Sequence, residues 1–205
     1  MKADFVCGIF LAAALLSGGL FTEASAEEGK EQPLSIAGPS ISTAKKKPVE
    51  IEMEYMEPRF YKDRHIKSYD LHVYEPWKVN GTFSIWKGLT IQRATGYTSD
   101  DHIRRDSKGA GIGPSILLRW EKPISGKLSG GFDGTGSILL YDKAFPARGR
   151  AFGFMWRIGP RLSYRWNEDN GIRLGWSYMH CSNGFKSHNP GFNAAGFMIG
   201  YEHRF

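Results

Sequence analysis

Residues 150–166 read RAFGFMWRIGPRLSYRW, and the order of apolar and polar residues in this stretch decides the fold. From Phe152 to Trp166 every even position is apolar or aromatic, whereas the odd positions from Gly153 to Arg165 include glycine, serine and three arginines. Successive residues of a β-strand point to opposite faces, so one face of such a strand is apolar and the other cationic. A helix with 3.6 residues per turn does not sort residues in this way. The stretch therefore predicts a β-strand.

The same alternation recurs in both directions along the chain. After residue 166 it is carried by Ile172, Leu174, Trp176 and Tyr178, and then by Phe197, Ile199, Tyr201 and Phe205. Weaker runs precede it at 71–73, 112–120 and 138–140. These patterns predict strands near 51–60, 65–76, 82–98, 109–121, 127–141, 151–166, 171–182 and 192–205. Eight is the smallest even number of strands that closes a bacterial membrane barrel.

The residues on the two faces favour a membrane barrel over a soluble secreted β-sandwich. The polar face mixes glycine with charged side chains, as in a narrow lumen lined by ion pairs: Arg157, Arg161, Arg165 and Glu202. Aromatic residues near strand ends resemble interfacial girdles: Trp120, Trp166, Tyr201 and Phe205. We therefore predict an all-β fold, an eight-stranded antiparallel transmembrane β-barrel, and keep the sandwich as the alternative.

The connections alternate between short and long. The segments 122–126 and 167–170 are tight, whereas 98–109 and 183–191 are long. Outer-membrane barrels have short periplasmic turns and longer extracellular loops. This alternation places the C-terminus in the periplasm and the end of the strand at 171–182 outside.

The N-terminal region predicts export. Lys2 is followed by an apolar run over residues 5–21 and by small residues at 24–26, as in a secretory signal peptide. We predict a signal peptide at 1–26, a flexible N-terminal extension at 27–50 and the barrel at 51–205. The leader holds Lys2, Asp4 and Glu23, so the 27 basic and 21 acidic residues of the chain become 26 and 19 after cleavage. Export argues against nucleic acid as a partner and leaves anionic lipid or polyanionic sugar.

The stretch MHCSNGF at 179–185 contains candidate catalytic residues. His180 and Ser182 share the parity of Ile172 and Tyr178, so both side chains are expected on the outer face, near the extracellular end of the strand. Polar groups that face hydrocarbon are costly unless they have partners. An imidazole at this spacing could take the proton of the serine hydroxyl as it attacks an ester carbonyl.

Neighbouring residues could complete this site. Asn193 on the next strand has the parity of the outer face, and its amide could orient the His180 ring. Asn183 and Gly184 could supply an amide side chain and a backbone N–H to an oxyanion. Cys181 has the opposite parity and is expected to point inward as an inert thiol. The alternative is that SNG and NPG are only turn residues at a strand end.

The motif H-x-S-N-G at 180–184, the N-P-G at 189–191 and a terminal strand ending in an aromatic residue resemble the PagL family of outer-membrane lipid A 3-O-deacylases. The resemblance covers roughly residues 109–205. It implies an eight-stranded barrel with its site on the outside wall, with His180 as base and Ser182 as nucleophile. The implied reaction removes the ester-linked acyl chain from the 3-position of lipid A, with no metal and no cofactor.

One position departs from this family. Its best-known members have a glutamate where this chain has Asn193, and a neutral amide stabilises an imidazolium less than a carboxylate does. Glu202 has lumen parity, which makes it a poor substitute.

The resemblance also implies partners and a location. We expect lipopolysaccharide as substrate in the outer membrane, with its lipid A phosphates attracted by the basic loop residues Arg104, Arg105, Lys108 and Lys186. Contact with the other outer-membrane lipids is expected, and a homodimer is left open. The competing function is a non-catalytic small barrel, structural or adhesive, in which the outer polar motif is incidental.

Overall fold

A computed structural model describes residues 46–184 and 189–205 of the chain. Its strands are β1 (Pro48–Pro58), β2 (Arg64–Asn80), β3 (Phe83–Asp100), β4 (Ile103–Asp106), β5 (Gly109–Ser125), β6 (Leu128–Phe145), β7 (Arg150–Arg165), β8 (Asn170–Ser182) and β9 (Phe192–Arg204). The predicted signal peptide and most of the predicted extension lie outside these residues, so that division stays a prediction.

Eight of these strands form a closed antiparallel ring. Neighbours pair in the order β2-β1-β9-β8-β7-β6-β5-β3, and pairing of β2 with β3 closes the ring. The predicted eight-stranded barrel is confirmed, and a single closed sheet is incompatible with the two packed sheets of the sandwich alternative. No helix among the described residues is long and apolar enough to cross a membrane.

Three boundaries differ from the sequence prediction. β4 pairs only with the end of β3, as a short hairpin inside the segment 98–109 that was predicted to be loop. β1 begins at Pro48, three residues before the predicted start of the barrel. β2 continues to Asn80 instead of ending near residue 76, with a bulge between Pro76 and Lys78 that breaks the alternation. Each error occurs where polar residues occupy both faces of the strand.

The alternation of residues assigns the two faces as the sequence predicted. Large apolar side chains are exposed all around the outer surface, among them Ile91, Ile112, Leu140, Leu162, Leu174 and Phe197. Because the ring closes on itself, every ring strand is hydrogen-bonded on both sides. A closed sheet with an apolar exterior is what a hydrocarbon environment requires.

Ion pairs fill the periplasmic half of the interior. The Arg119 guanidinium bonds Glu50 at 2.6 and 2.8 Å and Asp133 at 2.7 Å, and all three side chains lie inside the ring. The predicted lumen arginine Arg161 bonds Asp133 at 2.8 Å and Glu121 at 2.6 Å. Matched partners of this kind offset the cost of taking charges out of water.

Apolar side chains fill the extracellular half of the interior. They include Met56, Ile66, Leu139, Phe145, Met155, Met179 and Phe192, all almost fully buried. The purely polar lumen predicted from the sequence therefore applies only to the lower half. Because the upper half is a packed core, chemistry at the extracellular end of β8 takes place on the outer wall.

The connections between strands also alternate as predicted. At one end of the ring lie the turns 81–82, 126–127 and 166–169, together with the C-terminal end of β9. At the other end lie the connections 59–63, 101–108, 146–149 and 183–191. By the usual asymmetry of these barrels the second end is extracellular. β8 runs toward that end, so Ser182 lies at the extracellular edge.

Candidate active site

His180 and Asn193 are directly opposite each other on β8 and β9. The Nδ1 atom of His180 lies 2.6 Å from the side-chain Oδ1 of Asn193. Because an amide oxygen only accepts hydrogen bonds, Nδ1 carries the proton and donates it. The Nε2 atom of the neutral ring is then the acceptor, which is the form that a general base requires.

Ser182 lies beside this pair, on the same face of β8. It pairs with Phe154 of β7, just as His180 pairs with Trp156, so the strand keeps its alternation through Ser182. The space between His180 and Ser182 adjoins Gly191: a Cβ atom built on this glycine would lie 3.3 Å from both His180 Cε1 and Ser182 Cβ. Those two atoms are therefore no further apart than twice that distance. Within the described part of the chain, Ser182 Oγ makes no hydrogen bond to His180.

A side chain at Gly191 is expected to damage the site without unfolding the barrel. Gly191→Ala would place a methyl group between His180 and Ser182 and within 3.0 Å of the Cys181 carbonyl oxygen. We expect kcat for acyl release to fall at least about tenfold, because an ångström-scale displacement at a reacting centre can cost ~100-fold. Steady-state kinetics of the purified variant measures this.

The control for Gly191→Ala is Gly134→Ala on β6, where an added Cβ meets nothing within 4 Å. It should leave kcat unchanged. Equal activity of the two variants would show that the space beside Gly191 has no role in the reaction.

A row of aromatic rings on the outer wall leads to His180. The Trp156 ring lies 5.8 Å from the His180 ring and 5.5 Å from Tyr178, and Phe60 lies 5.7 Å from Tyr178. Trp156 and Tyr178 were predicted only as membrane-facing residues, and Phe60 comes from the turn between β1 and β2. Cross-strand register, which a single sequence does not reveal, brings them together.

The structure changes the role predicted for Asn183. Its side-chain nitrogen donates to the carbonyl oxygens of Phe152 at 2.7 Å and Phe145 at 3.4 Å, and its backbone N–H donates to Asn189 Oδ1 at 2.6 Å. These bonds occupy its donors, so Asn183 anchors the strand end instead of facing an oxyanion. Gly184 keeps its predicted role: its backbone N–H has no hydrogen bond within the described residues, and its φ of +74° suits glycine.

Cys181 points into the barrel, as its parity predicted. It is 1% exposed, and its sulfur lies 3.3 Å from the Tyr141 hydroxyl. The candidate nucleophile on this segment is therefore the outward-facing Ser182 and not the thiol beside it.

The basic loop residues lie away from this site. Arg104 stacks on Tyr97, 3.7 Å from the ring centre, and Lys108 pairs with Asp106 at 2.9 Å. With Arg105 they belong to or follow the β3–β4 hairpin, and β3 is four positions from β8 around the ring. The expectation that these three residues attract the phosphates of a substrate at Ser182 is therefore wrong. Lys186 lies outside the described residues.

The turn between β1 and β2 is the segment that contacts the site from the other side. The backbone N–H of Arg59 donates to the carbonyl oxygen of Asn193 at 3.0 Å. This turn therefore brings one basic side chain, that of Arg59, next to the residue that orients the histidine. Sequence reasoning missed it because β1 and β9 are the two ends of the barrel in the chain.

The sequence profile of the family described as Lipid A 3-O-deacylase (PagL) matches residues 66–202. Among solved structures, the crystal structure of the outer membrane enzyme PagL is similar at 14% identity and a TM-score of 0.49, covering 74% of this chain and 97% of that chain. Neisserial surface protein A follows at 12% identity and a TM-score of 0.46, covering 78% and 96%. The outer membrane protein Ail of Yersinia pestis has 13% identity and a TM-score of 0.39, covering 78% and 99%. No curated protein sequence matches significantly.

Proposed function

We propose, since this chain belongs to the PagL family of lipid A 3-O-deacylases, that Ser182, His180 and Asn193 carry out its reaction. The protein is an outer-membrane esterase that removes the 3-O-linked acyl chain from lipid A. The single observation that supports our residue assignment is the hydrogen bond from His180 to Asn193 beside an outward-facing serine.

The reaction follows the logic of a serine hydrolase. Ser182 Oγ attacks the carbonyl carbon of the 3-O ester while His180 Nε2 accepts the hydroxyl proton. The tetrahedral oxyanion accepts a hydrogen bond from the Gly184 N–H, and the imidazolium is held by the Asn193 amide oxygen. The imidazolium then protonates the departing sugar hydroxyl, which leaves an acyl group on the serine. A water molecule, deprotonated by the same nitrogen, releases the fatty acid.

The position of the residues on the barrel suits this substrate. Lipid A lies in the outer leaflet, and its ester bonds are near the boundary between headgroup and hydrocarbon. Ser182 is the last residue of β8, at the extracellular edge of the apolar belt. An ester carbonyl can reach it from the bilayer, and water can reach it from outside. The remaining outer-membrane lipids contact the belt, and a homodimer stays a prediction.

The nature of the residue at position 193 is expected to set the rate. A hydrogen bond to a charged group contributes ~1 kcal/mol more than a neutral one, so Asn193→Asp should raise kcat about tenfold by stabilising the imidazolium. Asn193→Ala should lower kcat by a similar or larger factor, with KM little changed, because the ring loses its orienting partner. Kinetics with detergent-solubilised lipid A separates the two parameters.

Asn170 provides a matched control for this test. Its Oδ1 lies 2.8 Å from Nδ1 of His203 at the periplasmic edge, so the same pair of groups occurs far from Ser182. Asn170→Asp should leave both kinetic parameters unchanged. If neither substitution at position 193 moved kcat, Asn193 would have no part in catalysis.

A further inference from the structure

Three ionisable side chains meet inside the barrel, away from the proposed active site. Glu54 of β1 and Asp70 and His72 of β2 each offer one ligand atom, and these atoms all lie within 4.8 Å of one another. The side chains are 4%, 3% and 0% exposed. We call them the interior triad.

Each member of the interior triad is held by a hydroxyl group at its other polar atom. Ser177 Oγ donates to Glu54 Oε1, Ser68 Oγ donates to Asp70 Oδ2 at 3.1 Å, and Thr90 Oγ1 lies 2.8 Å from His72 Nδ1. When the His72 Nδ1–H donates to Thr90, the ring turns an unprotonated Nε2 toward the carboxylates. Such outer hydrogen bonds are the usual means of orienting metal ligands.

Two of the converging atoms have no hydrogen-bond partner. They are Asp70 Oδ1 and His72 Nε2, which is 3.5 Å from Glu54 Oε2. Asp70 makes no ion pair among the described residues, and its register partner Gln92 directs its amide nitrogen to the sulfur of Met155. A buried carboxylate without a counter-charge is costly, because burial removes its hydration.

Arg157 supplies only part of the missing positive charge. Its guanidinium bonds Glu54 Oε2, and it also faces Glu52 at 3.9 Å and the Tyr74 hydroxyl at 3.1 Å. The charge of Asp70 therefore remains unmatched. A cavity of about 20 Å³ is lined by Glu54, Arg157 and Ser177, which is enough for one water molecule.

We propose that the interior triad binds one divalent transition-metal ion of the zinc type. The ion would take His72 Nε2, Asp70 Oδ1 and an oxygen of Glu54, and a water from the adjoining cavity can supply a fourth ligand. One imidazole and two carboxylates are donors that Zn²⁺ accepts at tetrahedral sites. The ion supplies the charge that Asp70 lacks, while Arg157 shares the Glu54 carboxylate with it.

This ion is structural and independent of the proposed esterase function. Glu54 lies five residues before Arg59, whose backbone contacts Asn193, a separation of roughly 17 Å along the strand. The triad also faces the lumen, whereas Ser182 faces outward. The ion fastens β1 to β2 and takes no part in ester cleavage.

Metal content of the full mature chain tests the proposal. The protein is purified without an affinity tag, refolded in detergent with Zn²⁺ or with EDTA, freed of unbound metal and analysed by mass spectrometry for zinc. We expect about one zinc per wild-type chain, and loss of that zinc in Asp70→Asn and His72→Gln. His65→Gln, which removes an exposed histidine of the same strand, is the control and should keep the zinc. Zinc absent from the wild type, or retained by both interior variants, would overturn the proposal.

Thermal unfolding gives a second readout for which the sign of the effect decides. Asp70→Asn removes the unmatched charge with little change in shape. It should therefore unfold at a higher temperature than the wild type in EDTA and at a lower temperature in Zn²⁺. At a hundred times its Kd, zinc shifts the wild-type folding equilibrium ~100-fold. If a bound proton instead neutralises Asp70, zinc would leave both unfolding midpoints unchanged, and the metal site would be refuted.

Discussion

Replacing Ser182 with alanine is expected to lower the rate of acyl release from lipid A by at least about a thousandfold. The hydroxyl is the only group we assign to attack on the ester, and His180 cannot replace it from its position on Asn193. The expected residue of activity comes from binding and the oxyanion donor alone. The measurement is the 3-hydroxy fatty acid released by purified protein in detergent, quantified by gas chromatography and mass spectrometry.

Ser125→Ala is the control for this experiment. Ser125 is an exposed serine at the periplasmic end of β5, and its loss should not change the rate. Acyl release by Ser182→Ala at the wild-type rate would remove the assigned nucleophile. A wild-type protein that released no fatty acid from any lipid would favour the non-catalytic barrel.

Replacing His180 with alanine is expected to have an effect of similar size, a loss of about a thousandfold in kcat. Without the imidazole the serine hydroxyl has no base, and the Asn193 oxygen loses the ring that it orients. The ring lies on the outer wall, half-buried beside Trp156. The space left by its removal should therefore admit free imidazole, and added imidazole should restore part of the rate.

The control for this variant is His203→Ala, which removes the histidine of the equivalent Asn170 pair at the periplasmic edge. It should keep full activity and show no response to imidazole. If His180→Ala kept the wild-type rate, the proposed base would be wrong. A loss without any rescue, accompanied by a lower unfolding temperature, would indicate a structural role for the ring.

The sequence predicted the barrel because its strands obey one local rule. In β7 and β8 each outward position is apolar and each inward position is small, polar or charged, so periodicity alone assigns the faces. The same rule placed His180, Ser182 and Asn193 outward and Cys181 inward. It weakens where both faces are polar, and for this reason the hairpin of β4 and the end of β2 were missed.

Contacts between distant strands were not predictable in this way. The partner of Arg119 is Glu50, 69 residues earlier in the chain, and the hydrogen bonds of Asn183 reach back to Phe145. The sequence shows such residues as charges or amides at given positions but does not show which of them meet. The interior triad was missed for the same reason. A search for regularly spaced histidines does not detect ligands that come from two strands.

The active site was predicted as far as local parity reaches. The spacing of His180 and Ser182 is a property of one strand, and the pairing with Asn193 follows from the parity of the next. The empty position at Gly191 and the ring of Trp156 depend on the fold of the 183–191 connection and on the register of β7. Register is set by the whole barrel, so these residues emerge only with the structure.

Tandem mass spectrometry of lipid A incubated with the purified protein tests the central claim most directly. The account predicts a product lighter by one 3-hydroxyacyl group, with the loss located at the 3-position of the sugar and absent with Ser182→Ala. An unchanged lipid A with the wild-type protein, or the same product with the alanine variant, would contradict it.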